Sequence, residues 1–236
     1  MLYHRKFPHK KISTRKLCEF YKRHSIRRKV ITKYKSPPAD SKQRYDQIHR
    51  VALAALQSAW SAKEKVVYVD EVVFTKHTMP RLDYQIKHVN QTVDEKDFYH
   101  AYDAVIAAIS ASTGIETTMA FGRAVKKNDF IEFLKHLRNT NGSNRIHCFM
   151  DNMKAHTAPE VKDACVPLNI VPIWNVPYMP DYQPIELVFA QVKRVYKNNK
   201  LSAFINKREF DYKREIQRAF DSVKRQTVVN CIRHCT

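Results

Sequence analysis

Apolar and polar positions fall along this chain in two rhythms. The run KVVYVDEVVF at 65–74 is β-branched or aromatic apart from its two central acids, which predicts a strand covered on both faces. YHAYDAVIAAIS at 99–110 and IETTMAF at 115–121 predict two further strands joined at Gly114. In NDFIEFLKHLRN, 128–139, Phe130, Phe133, Leu134 and Leu137 recur at helical spacing. RIHCFMDN at 145–152 reads as a strand, 158–166 as a short helix, and IVPIWNV at 170–176 as a strand interrupted by Pro172. Pro184 suits the first turn of a helix over 184–199, with Ile185, Val188, Phe189 and Val192 inward. A helix over 42–60 precedes these elements, and a basic helix or pair of helices over 206–233 follows them. Strands in threes and then alternating with helices predict an α/β domain with a mixed sheet flanked by helices.

Upstream, residues 12–35 read as two short helices. Ser13 or Thr14 caps the first, with Leu17, Phe20 and Tyr21 on its apolar side. Ser25 caps the second, so Arg27, Arg28 and Lys29 project from its start, where a helix-turn-helix makes its DNA contacts. A merely solvated basic face would look the same. SPPADS, 36–41, is a linker. The expected organisation is a basic helical segment at 1–35, linker and connecting helix at 36–62, the α/β domain at 63–200, and a basic helical region at 201–236.

Charge sharpens this picture. The chain of 236 residues carries a formal charge of +19, unevenly placed. Residues 1–35 hold +12 and residues 193–236 hold +8, while the stretch between them is nearly neutral at −1. Two basic ends on a neutral body are the footprint of a polyanion binder, and aromatic residues among the charges favour nucleic acid. Lys193, Arg194 and Lys197, on the helix from Pro184, would line the path of a DNA strand, or equally belong to a solvated basic face. No apolar run approaches the length of a membrane span. With three glycines in all, the chain has no phosphate-cradling loop and no dinucleotide fingerprint, so no nucleotide cofactor is expected. Five cysteines without framework spacing predict a reducing, intracellular setting. Cys231 and Cys235, flanking His234, make at most half a zinc site.

The remaining chemistry lies in acids set against apolar neighbours. Asp70 and Glu71 interrupt a strand and must point to opposite faces. Asp151 closes the apolar run RIHCFMD. A buried carboxylate without a partner costs roughly several kcal/mol, and no neighbouring Lys or Arg in either strand offers an obvious partner. A hard divalent ion would supply the charge. Simpler readings stand beside this one: Asp151 can cap a turn, and Glu186 in a first helical turn complements the helix dipole.

Three stretches resemble one family. V-D-E at 69–71, M-D-N-M-K-A-H-T-A at 150–158 and V-P-Y-M-P-D-Y-Q-P-I-E-L-V-F at 176–189 are similar to the acidic motifs of DDE-type transposases of the mariner superfamily. Between Asp151 and Glu186 lie 34 residues, the spacing of one large branch. In style the chain is similar to the transposases of ciliate telomere-bearing elements. The resemblance implies a ribonuclease H-like fold with the first and fourth strands adjacent, so that Asp70 stands beside Asp151 and Glu186 joins them. It further implies two Mg²⁺ or Mn²⁺ ions held by Asp70, Asp151 and Glu186, cleavage and transfer of double-stranded DNA, and a homodimer. Asn152 and His156 would orient a ligand or touch phosphate, though His156 reads equally well as an ordinary surface helix residue. Met179, Tyr182 and Gln183 stand where the family has Ser, Leu and Asn. Gln183 can still cap the helix, less well than Asn. The family also carries two helix-turn-helix units before its catalytic domain, and this chain has room for one. A DNA-binding protein without catalysis, or an RNA-directed nuclease of the same fold, are the competing readings. In a eukaryotic cell, the basic runs at 5–11 and 27–29 suit nuclear import.

Overall fold

The structure, a computed structural model, describes residues 13–24, 42–75, 77–79, 102–177 and 179–235. Two compact units divide the chain, Met1–Ser36 and Pro37–Thr236. In the first, helix α1 (Thr14–Arg23) begins at Ser13, whose hydroxyl accepts a hydrogen bond from the Lys16 N–H. Phe20 and Tyr21 are exposed on it. The expected second basic helix with Arg27, Arg28 and Lys29, and the 36–41 linker, lie outside the described residues.

The second unit opens with α2 (Lys42–Ser61), followed by β1 (Lys65–Phe74), β2 (Asp103–Ser110) and β3 (Gly114–Phe121). Then come α3 (Lys127–Thr140), β4 (Ile146–Met150), α4 (Lys154–Thr157), α5 (Pro159–Cys165) and β5 (Ile170–Trp174). A 3₁₀ turn at Pro180–Tyr182 leads into α6 (Pro184–Ile205), and α7 (Tyr212–Asp221) and α8 (Arg225–Cys235) close the chain.

The strands form one mixed sheet in the order β3-β2-β1-β4-β5. β1 runs antiparallel to β2 and parallel to β4, so the first and fourth strands are neighbours. Alternate residues of β1 feed two separate cores. Val66, Tyr68, Val72 and Phe74 pack with α2, α6, α7 and α8 on one face of the sheet. Val67 and Val69 pack with Phe130, Phe133, Leu134 and Leu137 of α3 and with α5 on the other. Every residue of β2 is buried, as a strand covered on both faces requires.

Local chemistry explains where these elements start and stop. Asp129 accepts from the Lys126 N–H at 2.8 Å and from the guanidinium of Arg123, tying down the start of α3. The Arg123 hydrogen bonds hold its carboxyl down to about 2. At the β2–β3 hairpin, Gly114 has φ +94, and a Cβ there would stand 3.0 Å from the Arg225 Cα. Glycine thus serves both the turn and the close approach of α8.

Several boundaries differ from the expectation. The helix expected at 158–166 is α5, which Pro159 starts, and a separate short helix, α4, precedes it over a stretch for which none was expected. Pro172 does not interrupt β5, because β5 is an edge strand where a missing N–H costs no ladder bond. α6 runs on to Ile205, six residues past its expected end, through LSAFI. The C-terminal region forms a pair of helices, and Ile216, Phe220, Val228 and Ile232 share the core of α6. All five cysteines are free thiols.

Candidate active site

Strand register places the first two acids. β1 and β4 pair in parallel from Lys65↔Ile146 to Tyr68↔Phe149. Asp70 lies two residues beyond Tyr68, and Asp151 two residues beyond Phe149, so the two sit at the same level on adjacent strands. Side chains two apart share a face, so both belong to the face covered by α6. Phe149 and Tyr68, their counterparts one step back, meet there with ring centroids 5.6 Å apart. Glu71 takes the opposite face, toward the core that holds α3.

The third acid arrives on α6. Pro184 occupies its first turn, and Ile185, Val188, Phe189 and Val192 are buried, which leaves Glu186 in the first turn at the rim of a cavity of about 570 Å³. Asp70 and Asp151 line the same cavity, together with Tyr45 of α2, Asn152, Asn175 and Gln183. Glu186 is the exposed member of the three at that rim, though the cavity wall removes part of its solvation.

Each carboxylate meets a different environment. Burial pushes the Asp70 carboxyl up to about 7, and the charges of Glu186, Asp151 and Glu71 add to the rise against one backbone hydrogen bond. Glu186 is also raised, by loss of solvation and by Asp151, while Lys193 two turns along pulls it back. At Asp151 desolvation pushes up, but the hydrogen bond and charge of His156 and the Met153 N–H outweigh it, and the net shift is downward. The hydrogen bonds to Asp70 and Asp151 fall on one oxygen of each: Asp70 Oδ1 accepts from the Glu71 N–H at 2.7 Å. Asp151 Oδ1 accepts from the Met153 N–H at 3.1 Å and lies 2.6 Å from His156 Nδ1.

Among the described residues, no three His, Cys, Asp or Glu side chains stand close enough to hold an ion as a group, although Asp70, Asp151 and Glu186 line one cavity. Cys231 and Cys235 likewise gather no further ligands. The donor set around the cavity nevertheless fits a hard divalent cation. It consists of carboxylates, two of them with an oxygen left over from their protein hydrogen bonds, and their mutual repulsion is what a cation would relieve.

The other expected residues divide. Asn152 lines the cavity, and its amide donates to the Asn175 carbonyl. His156 is 1% exposed, so it reaches Asp151 but not the solvent. Lys193 is half-buried and within electrostatic reach of Glu186; Arg194 is exposed, and Lys197 is half-buried beside Lys193.

Asn175 was missed in the sequence. It is 4% exposed, its N–H donates to the Met150 carbonyl at 2.7 Å, and its amide donates to the Met179 carbonyl at 3.0 Å. That stitches the segments after β4 and β5 to the turn before α6. A polar residue closing the apolar run IVPIW was the same signal that singled out Asp151. Tyr45 carried no signal of its own.

Gln183 departs from its expected role. It occupies the N-cap position of α6 but makes no capping bond; instead its amide donates to the Val69 carbonyl at 3.3 Å, next to Asp70. The longer side chain that caps poorly is the one that reaches β1. Gln183→Ala is expected to cost about 1–2 kcal/mol in urea unfolding, the price of a buried hydrogen bond. Gln183→Asn should recover part of this, because Asn can cap α6 although it cannot reach the strand.

Residues 65–209 match the family model of the DDE superfamily endonucleases. Among solved structures, the chain is similar to the Mos1 transposase paired-end complex with left transposon end, at 15% identity and a TM-score of 0.60, covering 95% of this chain and 68% of that one. The Mos1 strand transfer complex gives 16% identity and a TM-score of 0.61, covering 95% and 67%. The catalytic domain of Mos1 mariner transposase gives 16% and 0.56, covering 86% and 92%. At these identities the likeness speaks for the fold, a ribonuclease H-like mixed sheet flanked by helices. No curated protein matches the chain.

Proposed function

This chain belongs to the DDE superfamily endonucleases, and from that premise we propose that it cuts DNA strands and transfers them by metal-dependent phosphoryl transfer during transposition. The observation that carries the proposal is the β1–β4 register, which sets Asp70 and Asp151 level on neighbouring strands with Glu186 in the same cavity. Solved structures of the same fold are named as transposase complexes with a transposon end and as a strand transfer complex, and others as complexes with Mn or Mg.

Asp70, Asp151 and Glu186 would hold Mg²⁺ or Mn²⁺, as two ions in the full reading. When bound, such ions supply the positive charge that activates the attacking oxygen and stabilises the leaving 3′-oxygen. The residues provide the rest. Strand pairing fixes Asp70 and Asp151, and α6 presents Glu186 from the other wall. Lys193, Arg194 and Lys197 lead away from Glu186 along the same helix and would follow a phosphate backbone. In cleavage, water attacks phosphorus and the bond to the 3′-oxygen breaks, leaving a 3′-hydroxyl and a 5′-phosphate. In transfer, a 3′-hydroxyl takes the place of water. The partner is double-stranded DNA, met also by the basic N-terminal residues including Arg27, Arg28 and Lys29, and the working form is a homodimer. In a eukaryotic cell its place is the nucleus.

The test is nicking of supercoiled plasmid by the purified chain in Mn²⁺, with and without EDTA. Nicking that EDTA stops supports the reading. A folded chain that binds DNA yet leaves the plasmid intact would favour binding without catalysis, and a preference for RNA–DNA hybrid would favour the RNA-directed nuclease.

The raised Asp70 carboxyl gives a pH dependence. A ligand must lose its proton to take a cation, so Mn²⁺ affinity should fall about tenfold per pH unit below about 7. The metal-free protein should behave in the opposite sense. Between about 4 and about 7 the folded state holds a proton on Asp70 that the unfolded chain has lost, so this group's contribution to stability declines as pH rises through that window. Melting temperatures of wild type and Asp70→Asn, compared from pH 5 to 8 with and without Mn²⁺, should show wild type losing ground as pH rises without metal. With metal it should gain. A difference between the two proteins that does not vary with pH would refute the assignment.

A further inference from the structure

Asp151 follows the last residue of β4, and its side chain is 42% exposed. A carboxylate at a strand end, open to solvent, can turn away from its neighbours unless something holds it. His156 is placed to do so. Its ring is buried at 1% exposure and lies on Phe130, with centroids 4.1 Å apart and planes 29° from parallel. Phe130 is itself fully buried in the core under β1 and β4. One edge of the ring puts Nδ1 2.6 Å from Asp151 Oδ1. A carboxylate oxygen can only accept, so Nδ1 carries the proton. The other nitrogen, Nε2, is buried with no hydrogen-bond partner among the described residues. The ring's one protein hydrogen bond is therefore spent on Asp151.

We infer that His156 is a positioning residue: clamped by Phe130, it fixes Asp151 through Oδ1 so that Oδ2 is presented to the cavity and to a divalent cation there. This rests on the metal-site reading of the cavity and extends it to a residue that touches neither solvent nor substrate. Groups that orient metal ligands are worth roughly 10–100-fold in metal affinity. The sequence left open whether His156 orients a ligand, touches phosphate or is an ordinary surface helix residue; its burial at 1% exposure speaks against the last two.

The experiment is Mn²⁺ affinity at pH 8, read from the electron paramagnetic resonance signal of free Mn²⁺ as it is titrated into the purified full chain. It compares wild type, Asp151→Ala, His156→Asn and His156→Gln, each checked for a cooperative thermal melt. The Asn amide reaches about as far as Nδ1 and keeps a donor to Asp151, whereas the Gln amide extends toward the Nε2 position. His156→Asn is expected to bind Mn²⁺ within a few fold of wild type, and His156→Gln about tenfold or more weaker. Equal affinities for the two variants would overturn the inference, since a role in packing alone would not distinguish them. Wild type that binds no Mn²⁺, or Asp151→Ala that binds it as well as wild type, would instead overturn the metal-site reading, and the inference with it.

Discussion

Asp70→Ala, Asp151→Ala and Glu186→Ala proteins are each expected to lose Mn²⁺-dependent plasmid nicking by at least about a thousandfold. The size follows from the several kcal/mol of transition-state charge stabilisation that a bound ion contributes, at about 1.4 kcal/mol per factor of ten. Loss of activity alone would not separate a chemical role from a damaged fold. The electrostatics do. Burial and three neighbouring acids raise the Asp70 carboxyl, so without metal this side chain opposes folding at neutral pH. Asp70→Ala should therefore melt no lower than wild type in EDTA, while failing to gain stability from Mn²⁺. An inactive variant that also melted well below wild type in EDTA would point to a structural role for Asp70. Nicking that survived all three substitutions would place the chemistry elsewhere on the chain.

Phe189→Ala is expected to destabilise the protein by about 3–5 kcal/mol in urea unfolding, the usual range for emptying an aromatic site in a core. Phe189 is 2% exposed and meets Phe220 of α7 edge to face, with ring centroids 6.3 Å apart. It lies one turn along α6 from Glu186, so the same packing that supports the helix also sets the third acid. Combining it with Phe220→Ala should reveal a coupling of about 0.5–1.5 kcal/mol. Leu187→Ala makes a control, since Leu187 is 40% exposed between Glu186 and the buried stripe. Its effect should stay within about 0.5 kcal/mol. A small loss at Phe189 would contradict the packing of α7 against α6.

The elements and the three acids could be read from residues because each rests on a local signal. Two acids inside KVVYVDEVVF, an acid closing RIHCFMD, and Pro184 before an apolar stripe are all visible within a dozen residues. What could not be read depends on distant neighbours. Pro172 looked like an interruption because nothing in IVPIWNV says that its strand lies at the edge of the sheet. Gln183 looked like a weak cap because its partner, the Val69 carbonyl, is 114 residues away. Which role His156 takes could not be read, because its burial depends on Phe130 from another element. The end of α6 was also set too early: no Gly or Pro stands between 199 and Ile205 to stop a helix. The adjacency of β1 and β4 came only through family resemblance; periodicity says which residues share a face, not which strands are neighbours.

The β1–β4 register decides which changes in length the site can survive. Loops between the strands can grow or shrink, since closing a longer loop costs about 0.6 kcal/mol per doubling and leaves the pairing as it is. A single residue added or removed within β4 is another matter. It either slides the strand along its neighbour or turns Asp151 to the far face of the sheet and Asn152 or Met150 toward Asp70. Lineages of such a chain can therefore drift freely in their connections while holding two short stretches to a fixed count of residues. Two carboxylates far apart along the chain are kept level by backbone pairing, as marks on two rulers clamped side by side.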